Sequence, residues 1–206
     1  IKTLTCALFS VLGFFFHPTH VLANTEKQSY LEEHISPQSS SMLNLYFRSM
    51  GKPRSIEEDE LVAPQNASAE SLALYYFARL YLKRYEGVPL PKDMPDLIEF
   101  GTEHNLPWAV AEAQLNKAVT MIELDDNWNA ELVLHDIIAE ARDLGYLALE
   151  GRAYRWLGNL EVSRNQLRSG LKYYRTAYEL LERTVFEMQV AMTLNNIGTV
   201  YIDASD

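Results

Sequence analysis

The stretch that decides the fold is YRWLGNLEVSRNQLRSGLKYYRTAYELLE, residues 154–182. Its apolar residues recur at helical spacing, and it reads as the heart of two helices, about 150–164 and 168–186, joined by a short turn. The smallest residues explain how those helices meet. Gly158 has no side chain, so the second helix can approach the first closely, and Gly170 and Ala177 do the same from the other side. Tyr154, Leu157 and Tyr174 are the residues expected to fill the space around that contact.

Working outward, the pattern returns. Leu194, Ile197, Gly198 and Tyr201 follow in the same order, with Gly198 placed 40 residues after Gly158. Upstream, residues 115–145 fit more loosely, with Leu134, Ile138 and Ala141 in the second-helix places, 36 residues before Gly170, Tyr174 and Ala177. A large residue, Leu-Gly, then a small residue, an aromatic and an alanine at these spacings resembles the tetratricopeptide repeat. The 40-residue step is similar to the longer-helix variety of kinesin light chains and many bacterial signalling proteins. Two positions depart from the pattern: Glu161 stands where an aromatic is usual, and Glu182 where a proline often closes the unit.

The resemblance implies an all-α fold of antiparallel helix pairs stacked as a right-handed solenoid. It divides the second half of the chain into a degenerate unit at 107–148, a clear one at 151–187 and a truncated one at 191–206. Residues 24–106 form an N-terminal helical region expected to cap the array. The last unit reads as a first helix and turn, so the chain is expected to be part of a longer protein.

The remaining sequence agrees with an all-helical reading, since no window alternates at the strand period. SMLNLYFRSM (41–50) is a short candidate helix, and the polar, charged segment 52–68 a connection. Residues 68–87 form a strong helix capped by Ser68 and closed by Gly87. Its apolar residues run most of the way round, so it is expected to be covered on two sides, with Leu72, Tyr76 and Leu80 as one buried stripe. Pro89, Pro91 and Pro95 break the chain before a short helix in DLIEFGTEHN. From Pro107 onward, long helices at about 108–124, 129–144 and 190–203 join the two already described.

Composition narrows the partners. The chain has 206 residues, 48% hydrophobic and 22% charged, and a net charge of −10, which disfavours a nucleic-acid backbone or an anionic lipid surface. Its first residues, IKTLTCALFSVLGFFFHPTHVLAN, have the order of a secretory signal peptide over 1–23, with Val21 and Ala23 before the cut. The apolar run is shorter than the roughly 20 residues a membrane span needs. Cys6, the one cysteine, and the His17/His20 pair fall inside that leader. The mature chain is therefore expected to be thiol-free, exported and periplasmic or secreted.

In tetratricopeptide repeats the first helix of each pair lines a concave groove. The resemblance therefore points to Arg152, Arg155 and Asn159 on one such helix, and Asn195 and Thr199 on the next, as the face that meets ligand. They are either a groove for a peptide or acidic ligand, or a solvated arginine face. Asp125, Asn127, Asn129 and Asp136 sit at EF-hand spacing, but Ala130 replaces the turn glycine and Val133 cannot ligate, so a capped turn is expected there. Asn66 begins an N-A-S sequon. His34, His104 and His135 have no partners at ligand spacing. With no phosphate loop, nucleophile elbow or metalloprotease motif, neither catalysis nor a cofactor is expected in these residues.

The expected role is a binding module for a peptide or protein, resembling the periplasmic input region of a bacterial membrane signalling protein. In such proteins the output is a GGDEF diguanylate cyclase or a histidine kinase, reached through a membrane segment beyond the repeats. A free-standing periplasmic scaffold or assembly factor is the alternative.

Overall fold

The computed structural model describes residues 30–57, 60–89 and 92–204. The expected leader, with Cys6, His17 and His20, lies outside them. The described residues form α-helices α1 (Tyr30–His34), α2 (Ser40–Gly51), α3 (Ala69–Glu86), α4 (Leu97–Glu103), α5 (Pro107–Glu123), α6 (Asn127–Leu144), α7 (Leu147–Ser163), α8 (Leu167–Leu181) and α9 (Glu187–Asp203), and no strand. Single 3-10 turns at Pro37–Ser39 and Pro53–Ser55 flank α2.

Local chemistry sets the helix ends. The Ser68 hydroxyl accepts from the Ser71 N–H at 3.2 Å and starts α3, and Gly87, at φ 68°, ends it in the left-handed conformation that glycine adopts without strain. The turns after α5 and α7 are built alike, on Asp125 (φ 62°) and Asn165 (φ 61°), residue types that tolerate this region. α8 stops at Leu181, earlier than the 168–186 expected. Thr184 is the reason: its hydroxyl donates to the Leu181 carbonyl at 2.7 Å and accepts from the Phe186 N–H, folding 181–186 into a turn with no glycine or proline.

The spacing of the long helices is regular. α5, α7 and α9 begin at Pro107, Leu147 and Glu187, 40 residues apart each time, and α6 and α8 begin at Asn127 and Leu167, also 40 apart. This corrects the 36-residue offset read from the sequence. The register aligns Ala130 with Gly170, Leu134 with Tyr174 and Ile137 with Ala177, all of them buried. The four-residue slip is about one helical turn, which keeps the same face and so looks plausible in sequence.

Consecutive helices from α4 to α9 pack on one another across short connections, and α2 packs on α3 and touches α9. One hydrophobic cluster runs from Tyr30 through Phe186, so the core is continuous across the expected boundary at 106. The buried stripe of α3 also differs from expectation. Of the expected stripe Leu80 is buried, while Leu72 and Tyr76 are half-buried, Tyr76 meeting Phe100 of α4 edge-on, and Ala73, Leu74, Phe77 and Ala78 are buried instead.

Candidate functional site

Where α2 and α3 lie over α5 and α7, the contact is polar. Glu112 of α5 is fully buried, and its Oε1 accepts from the Tyr46 hydroxyl of α2, the Tyr81 hydroxyl of α3 and the Arg152 guanidinium of α7. Tyr81 also accepts from Arg152 at 2.6 Å and from Asn116 at 2.9 Å, and the Tyr146 hydroxyl lies 3.2 Å from that of Tyr46. Burial pushes all three tyrosine hydroxyls well above their ordinary range. Burial also opposes the charge on Arg152, but the facing Glu112 carboxylate and the tyrosines hold its pKa above the usual arginine value.

This seam overturns one expectation. Arg152 and Arg155 do not face outward: each is only 5% exposed. Arg152 is committed to Glu112 and Tyr81. Arg155 donates to the Gln189 side chain of α9 at 3.0 Å and lies over the Trp156 ring, while its Nε has no hydrogen-bond partner. Burial, with the like charge of Arg152 nearby, brings Arg155 down to about 10. The physical cause lies in distant contacts that no local pattern reveals: Tyr81 of α3, 71 residues from Arg152, meets the first, and Gln189 of α9, 34 residues from Arg155, the second. Asn159 is half-buried and accepts from Tyr174 at 2.8 Å and from Asn196 at 3.0 Å, so Asn196 is the asparagine that joins it. Asn195 and Thr199 are exposed, the Thr199 hydroxyl turned back to the Asn195 carbonyl.

At the α7–α8 contact, a Cβ on Gly158 would overlap the Tyr174 ring, and one on Gly170 would lie 2.5 Å from Val162. Leu157, Tyr174 and Ala177 are buried, and Tyr154 stacks on Tyr173. On α9, Ile197 is half-buried, and Gly198 and Tyr201 are exposed.

With α2 and α3 over α5 and α7, the open space lies farther along, between the C-terminal end of α2 and the start of α9. This cleft has a volume of about 590 Å³. Phe47, Val185, Phe186, Met188 and Ala191 supply its apolar wall, and its polar edge is mixed, with Arg48 and Lys52 beside Glu32 and Glu187. Phe47 and Phe186 meet edge-on with centroids 5.3 Å apart, pinning α2 to α9 at its floor. Arg48 is tied to Glu60, which leaves Lys52 the more available cation. A second concavity of about 480 Å³ shares Gly51, Lys52 and Met188 and extends the cleft past Arg54 to Tyr85. An apolar wall with convergent polar groups on one edge suits a short segment that buries a hydrophobic side chain and presents an acidic group. Its only hint in the sequence was Phe186 and Met188 beside the end of a helix.

The other candidates resolve simply. Asn127, Asn129 and Asp136 lie in α6 and only Asp125 in the turn before it, so the EF-hand spacing forms no loop, and the Asn129 amide donates to Asp126 at 3.0 Å. No cluster of three or more His, Cys, Asp or Glu suited to a metal occurs among the described residues, and none of their helices is long and apolar enough to cross a membrane. Asn66 sits in an exposed turn at φ 54°. His34 stacks on Tyr30 within α1, His104 caps α4 and stacks on Phe100, and His135 is exposed. Comparison with family models, with curated proteins and with solved structures found no match to this chain, so its own geometry has to carry the functional reading.

Proposed function

We propose that this chain is an exported protein- or peptide-binding module of the tetratricopeptide type, its helix pairs stacked as a right-handed solenoid and its ligand held in the cleft between α2 and α9. The observation that carries the reading is that cleft, apolar on the α9 side and basic at Lys52. Support for the repeat comes from helices that start every 40 residues and meet through Gly158 and Gly170. The preferred ligand is an extended peptide with an apolar anchor and a single acidic group placed to meet Lys52, clear of Glu32 and Glu187 on the same edge.

In its fuller form the proposal makes this the sensing input of a membrane-bound bacterial signalling protein, such as a diguanylate cyclase. That form rests on the resemblance. A periplasmic scaffold is the second reading, and the exposed apolar residues of α9, Leu194 and Ile202 among them, favour it because a scaffold needs a further contact surface.

Selection from a displayed peptide library against the whole chain tests the binding reading. Sequences with an acidic group near an aromatic or leucine are expected, and Met188→Asp or Lys52→Glu should weaken them by roughly tenfold or more. Peptides that bind both variants as well as the parent, or a selection that yields no consensus, would overturn it.

A further inference from the structure

A small cavity opens where α3, α4 and α5 meet, and it shares no lining residue with the α2–α9 cleft. Its volume is about 250 Å³. Sites for drug-sized ligands run to roughly 300–1,000 Å³, so its occupant is smaller than those. Two local contacts build its wall. Arg79 of α3 holds Asp93 through both carboxylate oxygens, and the Asp96 side chain accepts from the Ile98 and Glu99 N–H groups to start α4. The segment so anchored contributes Met94, Leu97 and Ile98, which join Leu80 of α3 and Ala113 of α5 in an apolar lining.

The polar part of the lining is incompletely paired. Asn116 of α5 is only 8% exposed, and its Nδ2 donates to the Tyr81 hydroxyl and to the Glu112 carbonyl, each at 2.9 Å. Those two bonds fix the orientation of the amide. Its other edge, Oδ1, accepts from none of the described residues, and Asn116 lines the cavity. A buried acceptor without a donor is costly, and a ligand N–H would satisfy it. Lys117 and Asp96 are exposed on the same lining and carry opposite charges, yet neither forms an ion pair among the described residues. Arg84 is already committed, donating to the Thr120 hydroxyl at 2.7 Å and to Glu123.

We propose that this cavity binds a free aliphatic α-amino acid. Its ammonium donates to Asn116 Oδ1 and faces Asp96, its carboxylate meets Lys117, and its side chain lies among Leu80, Met94, Leu97 and Ala113. The choice follows from complementarity. A fatty acid would leave Asn116 Oδ1 without a donor, and a simple amine would leave Lys117 without an anion. A zwitterion with an apolar side chain answers both within so small a volume. The contact also reaches the interior, since the same amide holds Tyr81 in the buried seam.

Isothermal titration calorimetry of the whole chain with L-leucine is the test, beside three relatives of leucine that each lack a feature. Saturable binding of leucine is expected. L-leucinamide, without the carboxylate, and isocaproate, without the ammonium, should each bind roughly tenfold more weakly or worse. N-acetyl-L-leucinamide, which keeps the side chain and neither charge, should give no detectable binding. Lys117→Glu should weaken leucine by roughly tenfold or more and tighten leucinamide, a swap that an exposed residue permits without loss of fold. Leu97→Trp, which fills the apolar lining, should abolish both while helical circular dichroism is unchanged. Absence of saturable leucine binding overturns the proposal. So does leucine binding that ignores Lys117→Glu, or equal affinity for N-acetyl-L-leucinamide, which would leave only an apolar side-chain seat.

Discussion

At the α7–α8 joint, Gly158 and Gly170 let two helices close around Tyr174 and Val162, and the contact is one of shape with a single hydrogen bond, Tyr174 to Asn159. At the seam between α2–α3 and α5–α7, a glutamate and an arginine are buried together, Glu112 Oε1 accepting from tyrosines of two further helices while its Oε2 has no hydrogen-bond partner. The first kind of contact has no counterpart at Gly198 of α9, where a Cβ would meet nothing among the described residues. The second cannot be half made, because an unpartnered buried charge is far more costly than an exposed apolar face. The N-terminal helices are thus fixed in one place on α5 and α7, while the α9 end keeps its surfaces available.

Alkali should break the seam most completely. The native pKa values of Tyr46, Tyr81 and Tyr146 lie above the unfolded value of 10.0, so the folded state holds more protons and stability falls as pH rises past about 10. Arg155, lowered to about 10, acts oppositely above that pH, but it is one group against three. These tyrosines should ionise only as helical signal is lost. A titration in which all 12 tyrosines of the chain ionise with the helices intact would contradict the buried seam.

Arg152→Ala comes next, expected to cost about 3–5 kcal/mol in chemical denaturation because Glu112 is left buried without its cation. Gly158→Ala should cost about 1–3 kcal/mol through overlap with the Tyr174 ring. Tyr46→Phe, which deletes one of the donors to Glu112, should cost about 1–2 kcal/mol. Gly198→Ala should have the opposite sign to Gly158→Ala, a gain of about 0.5–1 kcal/mol from helix propensity alone. Equal effects at the two glycines would remove the distinction between the filled and the open face.

Helices were largely legible in the sequence, because caps and periodicity are local. Ser68 and Gly87 bound α3 in both readings, and α9 ends at Asp203, as the periodicity required. What escaped depends on distance in the chain. Arg152 and Arg155 follow the spacing of an outward stripe, but Tyr81, 71 residues upstream of Arg152, and Gln189, 34 residues downstream of Arg155, turn it inward. The cleft was missed for the same reason, since α2 and α9 meet across most of the chain. One signal was available: Glu112 and Arg152 are 40 residues apart, the same step as Gly158 and Gly198, and so fall at one position of successive units.

Amide hydrogen exchange with and without a library-selected peptide tests most directly the claim that ligand enters at the α9 end while α2 and α3 stay in place. The account predicts added protection confined to the end of α2 and the start of α9, around residues 47–52 and 186–192, with the amides of α5 and α7 unchanged. Protection gained along residues 152–159 together with protection lost in α2 would contradict it, because α2 would then have been displaced from the seam.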